Sequence, residues 1–409
     1  MRHVVFVVPY ALDATLRFVR AAVELRSEGI ALGVVSNDAP DRFPARLRER
    51  FDAFERVQNA LDPDELVAGV RGAAAQLGGR VDRLIGILEP LQESLAEARR
   101  RLGIEGMAPE TARNFRDKAH MKEMLRAGGI PCARHHLSST VEEAVSFGRD
   151  SGYPLVVKPP AGAGGKNTFR VENEEELSGY LRSAPPRPEA PVLLEEFLSG
   201  EEFSFDSVTL GGSHVFHSVS EYTPTPLEVL RNPWIQWNVL LPRDVSGPEY
   251  EEIHQVGPHA LDVLGMDTGI THLEWFRRAD GTIAVSEVAA RPPGAQITSL
   301  LGYAHDADFY QAWIRIVSLD RFDVPERRFA AGAAYLRGQG DGRVAAIHGL
   351  GRAQEELGDL VFEADLPRPG QPKSGSYEGE GYVILRHPDT ERVRHGLARL
   401  VSLLRVEMA

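Results

Sequence analysis

The chain has 409 residues, 43% of them hydrophobic and 26% charged, the make-up of an ordinary folded protein with about two to four cores. Its 46 basic and 59 acidic residues give a net charge of −13, which argues against nucleic acid or an anionic membrane as main partner but allows a local basic pocket. The single cysteine, Cys132, excludes an intramolecular disulfide and any CxxC metal or redox site, and no apolar run is long enough for a membrane span. The segment 4–8 is too short for a signal-peptide core and reads as a strand, so a cytoplasmic location is expected.

In chain order, residues 3–9 are β-branched, residues 13–28 have helical spacing (Leu16, Val19, Ala22, Val23), and residues 30–36 return to strand. Gly29 stands where a helix C-terminus tolerates positive φ. A short strand at 84–88 and a helix through 94–101 complete an alternating pattern that predicts a parallel sheet covered on both faces. Helices are expected over 116–127 and 140–150, strands over 154–158 and 168–171, and a helix over 173–181 capped by Asn173. The proline-rich 184–191 reads as a linker. Strands at 192–197, 202–210 and 214–220 look like an antiparallel series, and 221–243 reads as a long polar and aromatic loop. A helix at 250–264 leads to strands at 272–277 and 282–288, turned by Asp280-Gly281. Glycine-rich β segments follow from about residue 330, with a loop at 366–379 and a closing helix over 389–406.

Three stretches carry chemistry. Lys158 closes an apolar strand and precedes Gly162, Gly164 and Gly165, so a fixed cation stands beside a backbone that can cradle an anion. Pro160 and Asn167 break both the P-loop and the G-x-G-x-x-G patterns, so any phosphate cradle here is a hairpin lid; a flexible hairpin with a solvated lysine is the competing account. The stretch 193–206 pairs acidic residues with an apolar strand end, suited to ribose hydroxyls and an adenine edge, or simply to a charged edge strand. Glu274 and Glu287 lie on neighbouring strands where they can share a face, and two uncompensated carboxylates so close would repel unless a divalent ion joined them. Arg291 follows within reach of a phosphate or a carboxylate.

The order of these elements resembles the ATP-grasp superfamily over residues 111–310: Asp117-Lys118 at a helix start, Lys158 before the glycines, the Glu-Glu-Phe-Leu strand, Gly200-Glu-Glu, then Glu274, Glu287 and Arg291. Within it the likeness is to carboxylate–amine ligases of the L-amino-acid (dipeptide) ligase type. The resemblance implies an α/β fold: a Rossmann-like pre-ATP-grasp domain (1–108), an α+β ATP-grasp domain (109–325, with a lid at 109–190 and a core at 191–325), and a small β-rich C-terminal domain (326–409). It implies that Lys118 and Lys158 hold nucleotide phosphates, that Gly162, Gly164 and Gly165 form the lid, and that Glu195, Glu196 and Leu198 flank adenine. By the same likeness Glu202 takes the ribose, Glu274 and Glu287 bind the metal, and Arg291 meets the reacting phosphate.

The implied cofactors are ATP and Mg2+, with Mn2+ able to substitute. Ala289 stands where many members have asparagine, which leaves one or two ions open. Glu93, His272, Gly294 and Ala295 are candidate substrate contacts, with Glu89 an alternative to Glu93, and the amino-acid pocket is expected to draw also on the loop 221–237 and on Gln296. The implied partners are small molecules and a second copy of the chain in a homodimer. The implied reaction makes an acyl phosphate that an amine attacks. A purine-pathway carboxylase or formyltransferase, a biotin-dependent carboxylase and a non-catalytic nucleotide-binding module stay open.

Overall fold

Four sheets organise the chain in the computed structural model, which describes residues 1–160, 168–232 and 234–409. The first is all-parallel and built from β1 (Arg2–Val7), β2 (Ile30–Ser36), β3 (Ala53–Arg56) and β4 (Arg83–Ile85), in the order β3-β2-β1-β4. Side chains alternate across β1. Val4 and Phe6 pack with Val19 and Val23 of the helix Asp13–Glu24, while Val5 and Val7 face Leu66 and Val70 of the helix Pro63–Gln76. This last helix and β3 are not evident in the sequence, because an Ala/Gly-rich helix and a four-residue strand carry little periodicity.

The helix expected over 116–127 is two helices, Pro109–Arg116 and Lys118–Ala127, broken at Asp117. Asp117 is extended and accepts a hydrogen bond from the His120 amide, which starts the second helix and puts Lys118 in its first turn. The second sheet contains β5 (His135–Ser138), β6 (Leu155–Lys158), β7 (Phe169–Val171) and β8 (Val192–Glu196), antiparallel and ordered β5-β8-β6-β7. Residues 192–196, expected in the core series, therefore lie inside this sheet instead, between β5 and β6.

The largest sheet has eight antiparallel strands. They are β9 (Glu201–Leu210), β10 (Ser213–Thr223), β11 (Trp237–Leu241), β12 (Gly269–Arg277), β13 (Ile283–Ala289), β14 (Ala330–Leu336), β17 (Val361–Asp365) and β18 (Gly381–His387), in the order β13-β12-β9-β10-β11-β14-β18-β17. The small third partner sheet joins β15 (Gly338–Gln339), β16 (Val344–His348) and β19 (Arg405–Met408). Two expectations change here. The supposed loop 221–243 contains the end of β10, a helix Pro226–Arg231 and β11, since Trp237, Val239 and Leu241 alternate into the core between polar neighbours. The C-terminal strands β14, β17 and β18 continue the large sheet rather than standing apart.

One face of this sheet is dry. Phe203, Phe205, Leu273 and Trp275 pack against Met121, Leu125, Ile253 and Leu261 of the helices Lys118–Ala127 and Glu251–Leu264. Phe203 and Trp275 stack with ring centres 4.5 Å apart, and each such buried side chain contributes roughly 1.5–3 kcal/mol. The opposite face carries Glu202, Tyr222, His272 and Glu274 and floors a cavity roofed by β6 and β8. Gly200 lets β9 begin under β12: at its φ of 147°, a Cβ would run into the carbonyl oxygen of Arg277. No helix among the described residues is long and apolar enough to cross a membrane.

Candidate active site

Strand register brings the two glutamates face to face. On β12 and β13, Glu274 lies directly opposite Glu287, and a β-bulge follows in which Trp275 pairs with Val285 so that Ser286 is skipped. The bulge frees the Ser286 carbonyl, which accepts a 2.6 Å hydrogen bond from the fully buried Lys122 ammonium. Lys118, one turn earlier on the same helix face, ion-pairs with Glu287. Burial alone would raise the Glu287 carboxyl, but Lys118 and Lys158 outweigh it and hold it down at about 2.

Lys158, at the end of β6, meets Glu195 of β8 at 2.9 Å, and Lys122 lies 3.5 Å from the other Glu195 oxygen. Burial pushes the Glu195 carboxyl up, and the two lysines more than reverse that, leaving it below its ordinary range. Glu196 pairs with Arg134 at 3.0 Å and Arg278 at 3.1 Å, and with Phe197 and the buried Leu198 it lines the cavity at this point. Glu202 is buried, with one carboxylate oxygen lacking a partner. Burial, and then the nearby Glu274 charge, raise its carboxyl well above the usual range.

His272 is anchored from behind. Its Nδ1 lies 2.6 Å from Asp206, which also accepts a 2.8 Å bond from Ser204. Its Nε2 lies 3.5 Å from Glu274. Burial would lower the imidazole, but Asp206 and Glu274 raise it to about 9.

Arg291 is held more firmly than its sequence position implies. Its Nε and Nη2 donate to the same Glu89 oxygen at 3.1 and 2.9 Å, and Nη1 donates to the Pro292 carbonyl at 3.0 Å. The other Glu89 oxygen accepts from Arg116. One edge of the guanidinium fork is thus engaged by a carboxylate of the N-terminal unit, and the Arg116–Glu89–Arg291 cluster keeps a net positive charge. After Arg291, Ala295 and Gln296 both adopt left-handed φ values of 49° and 57°, an unusual pair for residues with side chains; Ala295 lies on the cavity wall, and Gln296 accepts from Arg17 outside it.

The cavity therefore gathers Lys118, Lys158, Glu195, Glu196, Leu198, Glu202, His272, Glu274, Glu287, Arg291, Gly294 and Ala295. Gly162, Gly164 and Gly165 lie outside the described residues. Glu93 is a correction: it is exposed on the outer side of the helix Gln92–Leu102, and buried Glu89, four residues earlier, lines the cavity instead. The stretch 221–237, expected to contribute to the amino-acid pocket, does line the cavity through Tyr222, Leu227 and Trp237, whereas Lys122 and Tyr377 were passed over in the sequence. Lys122 had a signal, because it repeats Lys118 at i+4. Tyr377 had none, since it arrives on a loop nearly 100 residues downstream of the metal strands.

Among the described residues, no group of three or more His, Cys, Asp or Glu side chains is arranged to hold a metal ion. The two facing glutamates nevertheless suit a hard cation that takes its other ligands from phosphate oxygens and water. Cys132 is not positioned as a nucleophile: its thiol lies 3.7 Å from the Lys122 carbonyl, and burial pushes its pKa up.

Residues 116–222 match the phosphoribosylglycinamide synthetase ATP-grasp (A) domain family. The chain is 30% identical over 220 residues to an L-arginine-specific L-amino acid ligase of Bacillus subtilis, a match spanning 52% of each chain. It thus covers about half the length of that relative. In structure it is similar to an L-amino acid ligase from Bacillus licheniformis, with a TM-score of 0.79 at 20% identity over 100% of this chain and 99% of that one. N5-carboxyaminoimidazole ribonucleotide synthetase from Thermotoga maritima has the same fold, with a TM-score of 0.71 at 19% identity over 100% of both chains.

Proposed function

This chain is a member of the ATP-grasp superfamily, and from that premise we propose that it is an ATP-dependent carboxylate–amine ligase. The observation that carries the reading is the meeting of Lys118, Lys158, Glu274, Glu287 and Arg291 in one cavity, with the two glutamates in register.

In this reading Lys118 and Lys158 neutralise the nucleotide phosphates. Backbone at Glu196 and Leu198 borders the adenine, with Glu195 fixing Lys158, and Glu202 accepts the ribose hydroxyls. Glu274 and Glu287 hold Mg2+, whose contribution when bound is to draw off charge from the transferring phosphoryl group. Lys118 lies between Glu287 and the phosphates and can pair with either.

The substrate carboxylate oxygen attacks the γ-phosphorus, the bond to the β-phosphate oxygen breaks, and ADP leaves. Arg291 faces the charge that develops there, with Glu89 and the Pro292 carbonyl fixing the plane of its guanidinium. The amine nitrogen then attacks the acyl carbon, the carbon–oxygen bond to phosphate breaks, and the amine gives up a proton as the amide forms. No nucleophilic side chain is needed.

The test is to measure ADP release with amino acids supplied singly and in pairs, with mass spectrometry of the products. The reading expects ADP and an amide in equal amounts, both lost in Glu287→Ala. Carboxylation of an amine by bicarbonate, with no amide formed, would favour the purine-type reading instead.

A further inference from the structure

We propose that the activated carboxylate belongs to an amino acid with an apolar side chain, and that the end of the cavity beyond Arg291 is the subsite for that side chain. This rests on the ligase reading and names the substrate class for the same site. Across the cavity floor the side chains change character strand by strand. Glu287 on β13, His272 and Glu274 on β12 and Glu202 on β9 are polar or charged; Tyr222 on β10 and Trp237 on β11 are aromatic. Leu227, Ile297 and Tyr377 close the aromatic end.

This end is rigidly built. Trp237 is fully buried, stacks on Tyr335 at 4.5 Å, and donates from Nε1 to the Tyr377 carbonyl at 2.7 Å. The Tyr377 ring then stands edge-on to Trp237 at 5.6 Å. A substrate carboxylate placed at Arg291 would turn its side chain toward this wall, past Gly294 and Ala295.

The charges of the cavity have partners elsewhere. Glu89 takes two arginines, Glu195 two lysines, Glu196 two arginines and Glu287 one lysine, while Glu274 faces His272. Glu202 belongs to the polar strands. Glu378, next to Tyr377 in sequence, lies outside the cavity lining and is 3.4 Å from the Gln296 amide. Among the described residues lining the aromatic end there is no carboxylate to meet a guanidinium or ammonium and no cation to meet a carboxylate, and the adjacent Glu378 is already engaged by the Gln296 side-chain amide and the Ala295 backbone. An apolar side chain loses nothing in the same place and gains the burial of its surface. This chain should therefore differ from its Bacillus subtilis relative, whose name declares it specific for arginine.

Hydroxylamine separates the donor from the acceptor, because it replaces the amine and leaves the acyl group marked as a hydroxamate. The experiment supplies the enzyme with MgATP, hydroxylamine and one amino acid at a time, and measures hydroxamate and ADP. Leucine, methionine and phenylalanine should exceed arginine, lysine and glutamate by about 10²-fold or more in kcat/KM. Leu227→Asp adds a carboxylate at a partly exposed wall position and should raise the arginine-to-leucine ratio about 10-fold. Arginine, lysine or glutamate as the best donor, with MgATP turned over normally, would overturn the subsite and leave the ligase reading standing. Hydroxamate from no amino acid, with ATP binding intact, would remove the ligase reading and the subsite with it.

Discussion

The two ends of the cavity are built on opposite plans. At the β13–β12 end, every cation is set against an anion: Lys118 on Glu287, Lys158 and Lys122 on Glu195, and Arg291 on Glu89. At the β10–β11 end, Tyr222, Trp237, Ile297 and Tyr377 offer shape and surface, with no charged side chain among the described lining residues there. The difference teaches where each kind of selectivity resides. On the proposed reading the charged end shifts its pairs onto phosphates and does the chemistry, while the aromatic end, which can only fit or refuse, selects the substrate.

The largest expected effect comes from breaking the charged end. Glu287→Ala removes the proposed metal ligand and the partner of Lys118, and should reduce turnover ~10³-fold or more, since a bound cation contributes several kcal/mol to such a transition state. Circular dichroism should report an intact fold, and a variant with near-normal activity in Mg2+ would remove the metal pair from the account.

Arg291→Lys is next. It keeps the charge but loses the planar fork that Glu89 orients, so kcat/KM should fall ~10²–10³-fold while the affinity for ATP changes far less. Loss of ATP binding in proportion to activity would make Arg291 a nucleotide anchor.

The charged end was largely legible in the sequence, and the reason is physical. Its groups sit on strand ends and turns whose chemistry is local: a lysine before glycines, two glutamates flanking a hairpin turn, an arginine just after. Even the bulge is visible in retrospect, because Val285-Ser286-Glu287-Val288 breaks the period-2 alternation at the point where the ladder skips Ser286. The aromatic end was legible only in part because tertiary packing assembles it. The stretch ending at Trp237 was expected at the pocket but its prolines read as loop, Tyr377 sits on a remote loop, and Glu89 and Glu93 are one helical turn apart with nothing local to separate them. The fold followed the same division: the parallel N-terminal sheet was readable, while the pairing of β8 with β5 and β6, and the extension of the large sheet by β14 and β18, were not.

A smaller effect sharpens the contrast. Tyr377→Ala should raise KM for the carboxylate about 10-fold and leave KM for ATP within about 2-fold, because the ring packs edge-on against Trp237 and its hydroxyl is turned toward Gly294 and Arg291, on the carboxylate side of the cavity. Steady-state kinetics with each substrate varied in turn checks this; equal changes in both would mean that the ends are not independent.

The smallest effect separates the ends by acid. Burial, with Arg327 adding to it, holds His305 down at about 4 at the end of the helix that carries Ile297. Its unfolded form binds a proton near 6.5, so the stability it contributes is intact above that pH and is lost as pH falls toward 4. Glu287, held at about 2, contributes stability that is present above its ordinary 4.5 and is lost only as pH falls toward 2. The aromatic end should therefore lose support first on acidification. Thermal unfolding of the wild type should decline more steeply from pH 6.5 to 4 than that of His305→Leu; parallel declines would contradict it.

The central claim, transfer of phosphate to a carboxylate followed by attack of an amine, is tested most directly with isotope. The amino acid giving the most hydroxamate is labelled with 18O in its carboxylate and turned over with MgATP and an amine, and the released phosphate is analysed by mass. The account predicts one 18O atom in each phosphate and one amide formed per ADP. Unlabelled phosphate accompanying amide formation, or label appearing in AMP, would contradict it.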